Sequence, residues 1–128
     1  MLTVGIKGRI ERIVTPEMTA VALGSGGLPV YGTPCVIELA EETAWSSVEP
    51  DLEPGQGTVG TLLQIAHVSA TPVGMKVWCE TELTAIDRRK LTFSVAVYDE
   101  AGLIAEGTHE RFIVDNDRFM KKTQEKMQ

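Results

Sequence analysis

The pattern of apolar and polar residues divides the chain into two parts at about Gly57. Beyond that point the two kinds alternate through four segments: TVGTLLQIAHVSA, KVWCETELTAID, KLTFSVAVYD and LIAEGTHERFIV. In the second segment, one face of the strand is formed by Val77, Cys79, Thr81, Leu83 and Ala85, and the other face is mainly polar. Such alternation predicts β-strands with one wet face. The short breaks after Ile86 and Tyr98 predict that the strands pair as consecutive antiparallel hairpins.

The part before Gly57 contains one strand and one long helix. Residues 5–15, GIKGRIERIVT, alternate imperfectly and predict the first strand. Thr33 followed by Pro34 is typical of a helix start, because threonine can cap a free amide and proline suits the first helical position. The helix is predicted from about Pro34 to about Ser47, where the prolines of EPDLEPG end it. Apolar residues recur within it at helical spacing, namely Val36, Ile37, Ala40, Ala44 and Val48.

A loop rich in glycine and proline, GSGGLPVYGTP, leads into this helix. It contains four glycines, which allow sharp turns and movement, so we interpret it as a lid beside the helix start. The segment TPEM before it is compatible with a short helical turn.

The order of these elements predicts an α+β fold in which an antiparallel five-stranded sheet wraps around one long helix. A chain of 128 residues suits one compact core, so we expect a single domain over residues 1–128. Its last part, residues 115–128, is polar; it either forms a short helix that packs Phe119 and Met120 or frays.

The charge of the chain excludes some functions and sets an expectation for its location. A net charge of −6 and a pI near 4.9 do not favour nucleic-acid binding, which needs a basic face. Lys7, Arg9 and Glu11 interrupt the N-terminal apolar residues, so we expect neither a signal peptide nor a membrane span, and a cytoplasmic protein. Cys35 and Cys79 fall in different predicted elements and are expected to be free thiols.

Three glutamates lie within the predicted helix. Thr33, Ile37 and Glu41 share one stripe, whereas Glu38 and Glu42 form a parallel stripe shifted by one residue. Glu41 lies about 12 Å along the helix axis from Thr33. If the second stripe is solvated, Glu41 is left nearest the apolar side, where a charge is costly unless it is bonded or used. Spacing alone favours a simpler interpretation, a solvated acidic face.

Two histidines lie on predicted strands. His67 stands in the apolar segment TLLQIAHVSATP and is either a satisfied core or interface residue or one half of an acid–base pair with a carboxylate. His109 is interpreted as structural, with Glu110 and Arg111 as local partners. The histidines and cysteines show no metal-ligand spacing, and neither GxSxG nor a phosphate-binding GxxxxGK motif occurs.

Several short motifs together resemble one family of proteins. LEPG, GT, AHVSATPVG and GTHER occur in the order and spacing found in the hotdog-fold acyl-CoA thioesterases, closest to the fluoroacetyl-CoA thioesterase branch. The resemblance extends from about Gly5 to Phe119. It implies a homodimer that joins two sheets edge to edge, acyl-CoA sites at the subunit interface, and no metal or redox cofactor beyond the coenzyme A of the substrate.

The resemblance also implies roles for particular residues. That branch uses a threonine, a glutamate and a histidine together, and the intervals match Thr33, Glu41 and His67. Glu41 would attack the thioester or activate water, His67 would transfer protons, and Thr33 would orient the pair. Gly60 matches a glycine near the thioester, where Thr61 would assist. The basic cluster of Arg88, Arg89 and Lys90 would meet CoA phosphates or is simply a charged hairpin turn.

One departure from the family pattern concerns the substrate. The fluoroacetate-resistant relative has phenylalanines in its lid, whereas this lid has Tyr31 as its sole aromatic residue. We therefore expect a small or short-chain acyl-CoA rather than selectivity for fluoroacetyl-CoA. Two alternatives remain: a non-catalytic acyl-CoA-binding or ligand-sensing hotdog protein, and a hotdog dehydratase or hydratase, whose usual His/Asp or His/Glu motif is not found here.

Overall fold

The computed structural model describes residues 1–128 and contains one antiparallel sheet of five strands, in the order β1-β3-β4-β5-β2. The order confirms the predicted consecutive hairpins between the third, fourth and fifth strands. The second strand pairs with the fifth at one edge of the sheet, so its predicted hairpin with the third strand is wrong. The strands are β1 (Lys7–Ile13), β2 (Gln56–His67), β3 (Lys76–Asp87), β4 (Lys90–Asp99) and β5 (Gly102–Asp115).

The long helix lies across the inner face of this sheet. Two short elements precede it, a single 3₁₀ turn (Pro16–Met18) and α1 (Ala20–Leu23). The long helix, α2, spans Thr33–Val48 and contacts all five strands. Its fully buried apolar residues pack against the sheet, and they are Val36, Leu39, Ala40, Ala44 and Val48. The predicted architecture is therefore confirmed. Neither α2 nor any other helix is long and apolar enough to cross a membrane.

The start of α2 differs from the prediction in one respect. Gly32, rather than Thr33, is the residue before the first helical turn, and no side chain caps the free amides there. Thr33 is the first helical residue instead, so its hydroxyl is directed away from the helix amides and bonds a histidine of the sheet. The predicted capping role of Thr33 is therefore wrong.

Two bulges interrupt the regular pairing of the strands. One lies in β3 between Leu83 and Ala85, where the alternation breaks and Ala85 becomes exposed, in contrast to its predicted inward position. The other lies in β2 between Gly60 and Leu62, so that Thr61 is the extra residue. A bulge bends its strand and redirects the side chains beside it.

The predicted lid is partly anchored to the body of the protein. Isolated backbone bridges link Thr19 to Tyr31 and Val30 to Pro72. Tyr31 is buried and its hydroxyl donates to the backbone oxygen of Cys35 at 3.3 Å. The sole aromatic residue of the lid sequence thus belongs to the core, whereas Leu28 is exposed.

The last fourteen residues contain a helix rather than a frayed end. This helix, α3, spans Asn116–Gln124 directly after β5 and is followed by a single 3₁₀ turn. Phe119 and Met120 remain 39% and 50% exposed, so the helix lies on the surface and contributes little to the core.

Both cysteines are free, as predicted. Cys79 is fully buried and Cys35 is partly buried. Burial raises the pKa of the Cys79 thiol to about 11, so this thiol stays protonated and behaves as a small apolar side chain.

Candidate active site

A threonine and a histidine meet where α2 begins and β2 ends. Thr33 Oγ1 lies 2.8 Å from His67 Nδ1, and the other ring nitrogen, Nε2, is buried without a hydrogen-bond partner in the chain. Burial lowers the pKa of His67, because the charged imidazolium is poorly solvated there. The ring is therefore mainly neutral at pH 7, with one nitrogen held by Thr33 and the other unpaired.

A small cavity opens beside this pair. It has a volume of about 310 Å³ and includes Thr33 and His67 in its wall. Most of its other lining residues are small or apolar, among them Ala20, Val30 and Val68. A cavity of this size and character suits a small apolar group next to a neutral imidazole.

The carboxylate predicted for the site lies farther along α2. Glu41 Oε2 forms an ion pair with Arg111 Nη1 at 3.3 Å and also lies against Gly60 of β2. Its side chain is 39% exposed in the single chain. Glu41 is therefore half-buried, and an ion pair with the buried Arg111 compensates its charge.

Arg111 is the centre of a buried polar network that sequence analysis did not predict. Its Nε donates to Thr58 Oγ1 at 2.8 Å and its Nη2 to the Thr58 backbone oxygen at 3.0 Å. Its Nη1 lies 3.1 Å from His109 Nε2 as well as next to Glu41. The guanidinium thus has four polar contacts, which fix its plane and direct one edge at Glu41.

His109 contacts Arg111 through its ring and is itself held by the backbone of β2. Its Nδ1 lies 2.8 Å from the Leu62 backbone oxygen, which can only accept, so Nδ1 carries the proton and Nε2 is free to accept from Arg111. Burial, with the nearby guanidinium, lowers the pKa of His109 and favours this neutral form. The structural role predicted for His109 is consistent with these contacts, although Glu110 is not its partner.

The other two helix glutamates do not contact this network. Glu38 is exposed, and Glu42 is 38% exposed and pairs with Arg12 at 2.7 Å on the opposite side of the site. Exposed pairs of this kind contribute at most about 1 kcal/mol to stability. Of the three glutamates, Glu41 alone contacts the buried Arg111–His109 network.

Within one chain, the predicted site residues form two separate groups. Thr33 and His67 are bonded to each other at the start of α2. Glu41 lies eight helix positions further on, about 12 Å along the axis, with Gly60 and Arg111. No hydrogen bond joins Glu41 to His67 in the single chain.

The residues predicted to bind substrate lie in two places: beside Glu41 in β2, and in the turn between β3 and β4. Gly60 faces Glu41, whereas the Thr61 hydroxyl donates to the Glu110 backbone oxygen at 3.2 Å. Arg88 and Arg89 form the turn between β3 and β4, where Arg88 is almost fully exposed. Arg89 donates to the Ile113 backbone oxygen at 3.2 Å, at the same end of the sheet as Arg111.

The contact between Glu41 and Gly60 leads to a first prediction. A Cβ at Gly60 would lie 2.6 Å from Glu41 Oε2, which is too close, so the Gly60→Ala variant displaces the carboxylate. The Cβ would also lie 3.3 Å from Arg111 Nη1 and from His109 Cε1, both in the buried network, so we expect a modest fall in melting temperature together with a loss of at least about tenfold in kcat. Steady-state kinetics and thermal unfolding measure the two effects.

The matched control for this change is Gly27→Ala. A Cβ at Gly27 meets nothing within 4 Å, so both activity and stability should remain at the level of the unmodified protein. Wild-type kcat in the Gly60→Ala variant would show that the position of Glu41 does not matter to the reaction.

Comparison with solved structures identifies the fold. A structure of the fluoroacetyl-CoA thioesterase has a TM-score of 0.93 and 30% identity, with 98% of each chain covered. A hot-dog-like protein from Thermanaerovibrio acidaminovorans has a TM-score of 0.91 over 99% of this chain and 94% of the other; at 22% identity it supports the fold alone. The fold and the relationship to the first structure define a thioesterase of the hotdog fold.

The sequence comparisons give the family. A model described as fluoroacetyl-CoA-specific thioesterase matches residues 14–117. A fluoroacetyl-CoA thioesterase from Streptantibioticus cattleyicolor is 34% identical over 97 residues, which are 76% of this chain and 70% of that protein. The chain belongs to the fluoroacetyl-CoA-specific thioesterase family, which agrees with the resemblance seen in its motifs.

Proposed function

We propose that the protein hydrolyses a small or short-chain acyl-CoA to the free acid and CoA, using Thr33, Glu41 and His67. The observation that carries this proposal is the buried Arg111–His109 network, which holds one carboxylate against Gly60 on the substrate side of β2. Family membership supports the reaction type, since the chain's relatives are thioesterases.

Each residue has a role that its surroundings suit. Glu41 attacks the thioester carbonyl or activates the water that does so, and its contact with Arg111 orients the carboxylate. His67, neutral at pH 7 and with Nε2 unpaired, transfers a proton to or from water and the departing thiolate. Thr33 fixes the orientation of the imidazole. Gly60 leaves room for the thioester beside Glu41.

The size of the acyl group follows from the cavity beside His67. It has a volume of about 310 Å³ in the single chain, and its walls carry small apolar side chains such as Ala20 and Val30, which suit a small acyl group. Tyr31 is held in the core by its hydrogen bond to Cys35, and no phenylalanine lies in the lid. A general small acyl group therefore suits the site better than selective recognition of fluoroacetyl-CoA.

A homodimer would bring together the two groups of site residues, the Thr33–His67 pair and Glu41 with Arg111. β2 lies at the edge of the sheet, is twelve residues long and exposes Leu62, and long unpaired edges are normally covered or paired. Two β2 strands pairing antiparallel about a twofold axis at Gln64 would continue the sheet from one subunit to the other. Inward-facing residues then remain opposite inward-facing residues.

In this pairing, the partner's His67 lies opposite the bulge at Gly60 and Thr61, next to Glu41 of the first subunit. Each dimer would then have two sites, built from Glu41 and Arg111 of one chain and the Thr33–His67 pair of the other. The pairing accounts for the separation of about 12 Å within one chain and for a buried His67 Nε2 that has no partner in its own chain.

A panel of acyl-CoA thioesters of increasing chain length tests the proposed function. A thiol-trapping assay measures the CoA released, and we expect the highest kcat/KM for acyl groups of a few carbon atoms. Tight binding of every thioester without release of CoA would instead favour the ligand-binding alternative. Addition or loss of water across the acyl chain would favour the dehydratase.

A further inference from the structure

A carboxyl group lies among apolar residues on the inner face of β4, outside the site described above. Every second residue of this strand faces the core, and the four before Asp99 in that series are apolar and buried: Leu91, Phe93, Val95 and Val97. Asp99 continues the series, is only 4% exposed and takes part in no ion pair. A buried carboxyl group is costly unless hydrogen bonds satisfy its oxygens, so its partners indicate its role.

The two oxygens of Asp99 have separate partners. Oδ1 accepts from the backbone amides of Ala101 at 2.8 Å and Gly102 at 3.2 Å, which closes the turn between β4 and β5. Oδ2 accepts from the hydroxyl of Thr71 at 2.7 Å, and Thr71 is fully buried. The turn therefore has its own bonds to Asp99, whereas the bond to Thr71 holds a segment 28 residues earlier in the chain.

Thr71 belongs to the loop between β2 and β3, within the motif AHVSATPVG, of which the proposed mechanism uses only His67. Residues 68–70 of this loop line the cavity beside His67. The backbone amides of the first two of them donate to the Ile104 backbone oxygen at 2.7 and 3.2 Å, which attaches the start of the loop to β5. This part of the cavity wall is therefore held at two points, by Ile104 at its start and by Asp99 at its end.

A second part of the cavity wall is bonded to the same threonine. It includes Val30 and Tyr31 of the lid. The Tyr31 amide donates to the Thr71 backbone oxygen at 2.9 Å, and Val30 forms an isolated backbone bridge with Pro72. Thr71 thus binds the lid through its backbone and Asp99 through its side chain, so both parts of the wall depend on this one residue.

We propose that Thr71 and Asp99 are a positioning pair, whose bond fixes the two parts of the cavity wall relative to each other and so limits the length of the acyl group. This proposal rests on the proposed function and adds a determinant of acyl length to it. Neither side chain lines the cavity, so both act through the residues that they hold. Without the Thr71 hydroxyl, Asp99 Oδ2 would be buried without a partner, a penalty that is relieved when the loop moves outward and admits water. The lid, bonded to the backbone of Thr71, moves with the loop.

The substitution Thr71→Val tests the pair, because valine keeps the shape of the side chain and removes the hydroxyl. Across the acyl-CoA panel, kcat/KM should fall about tenfold for the shortest thioester but less than about twofold for thioesters about four carbon atoms longer, which fit a widened cavity. Thr71→Ser, which keeps the hydroxyl, should show the wild-type dependence on chain length. A loss by the same factor at every chain length would overturn the proposal.

A double variant tests whether Thr71 acts through Asp99. Asp99→Asn keeps an oxygen for the turn amides and removes the carboxylate oxygen that Thr71 satisfies. Adding Thr71→Val to it should therefore change the dependence on chain length by less than the sum of the two single changes. Strict additivity would show that Thr71 does not act through Asp99, and the pair would have to be abandoned.

The matched control is Thr43→Val. Thr43 is also fully buried, but its hydroxyl donates to the Leu39 backbone oxygen at 2.7 Å within α2 and has no bond to the lid or to the β2–β3 loop. This variant should have a lower melting temperature and an unchanged dependence on chain length. The same shift toward longer acyl groups in the control would contradict a specific role of Thr71.

Amide hydrogen exchange tests the attachment of the lid without catalysis. The Tyr31 amide, bonded to the Thr71 backbone oxygen, should exchange at least about tenfold faster in Thr71→Val than in the wild type, whereas amides in the middle of β4 keep their wild-type rate. Unchanged exchange at Tyr31 would overturn the proposal. If no form of the protein hydrolysed a thioester, the proposed reaction and the role in acyl length would both fall, while faster exchange at Tyr31 would keep the attachment.

Discussion

Replacing Glu41 with glutamine lowers kcat for acyl-CoA hydrolysis by at least about three orders of magnitude, since the amide can neither attack a thioester nor accept a proton from water. The amide keeps the size of the side chain, and its oxygen can still accept from Arg111, so the fold should remain intact. Release of CoA, followed by thiol trapping, gives the rate. Circular dichroism and the melting temperature report on the fold.

The helix provides a matched control for this change. Glu38 is exposed on the same helix and has no contact with Arg111, so Glu38→Gln should retain full activity. If Glu41→Gln retained most of the wild-type kcat, the carboxylate would have no chemical role. The reaction would then have to depend on water and His67 alone.

Mixing two inactive variants restores activity if each site uses residues from two chains. Glu41→Gln and His67→Ala subunits, coexpressed or refolded together, should recover about a quarter of wild-type activity, because half of the dimers are mixed and each mixed dimer keeps one intact site. In such a dimer, the intact Glu41 of one chain meets the intact His67 of the other. The second site of the same dimer lacks both groups.

This experiment distinguishes an interface site from a site within one chain. A mixture as inactive as either variant alone, in a sample that light scattering and tagged co-purification show to contain mixed dimers, would contradict the proposed pairing of β2 strands. A suitable control mixes Glu41→Gln with wild-type chains. Activity there should rise in proportion to the wild-type fraction, without the restoration specific to two defective partners.

Arg111 illustrates why part of the site could not be predicted. In the sequence it appears in GTHERF beside Glu110 and His109, and nothing local indicates that it reaches a glutamate 70 residues earlier. The one available signal was the two-residue spacing of His109 and Arg111, which puts both on the inner face of β5. From the sequence, His109 was interpreted as locally paired, and the inward orientation of Arg111 toward α2 was not predicted.

The motifs pointed to particular residues but not to how the fold arranges them. Thr33, Glu41 and His67 were selected by resemblance, and the helical stripe separated Glu41, which contacts Arg111, from Glu38 and Glu42, which do not. The contact between Thr33 and His67, 34 residues apart, depends on where β2 ends against α2. The distance between Thr33 and Glu41 follows from the rise of the helix, which the sequence already implied.

By itself, the sequence determined the order of the elements, the two hairpins that join β3, β4 and β5, and the buried face of α2, because these depend on periodicities of two and 3.6 residues that act over short distances. Only the tertiary structure decided that Glu41 is held by Arg111 and His109, that Thr33 bonds His67 rather than capping α2, and that a bulge occurs at Thr61. These features depend on the register and packing of distant segments, where many pairings satisfy the same local pattern and the polar contacts of buried groups select one.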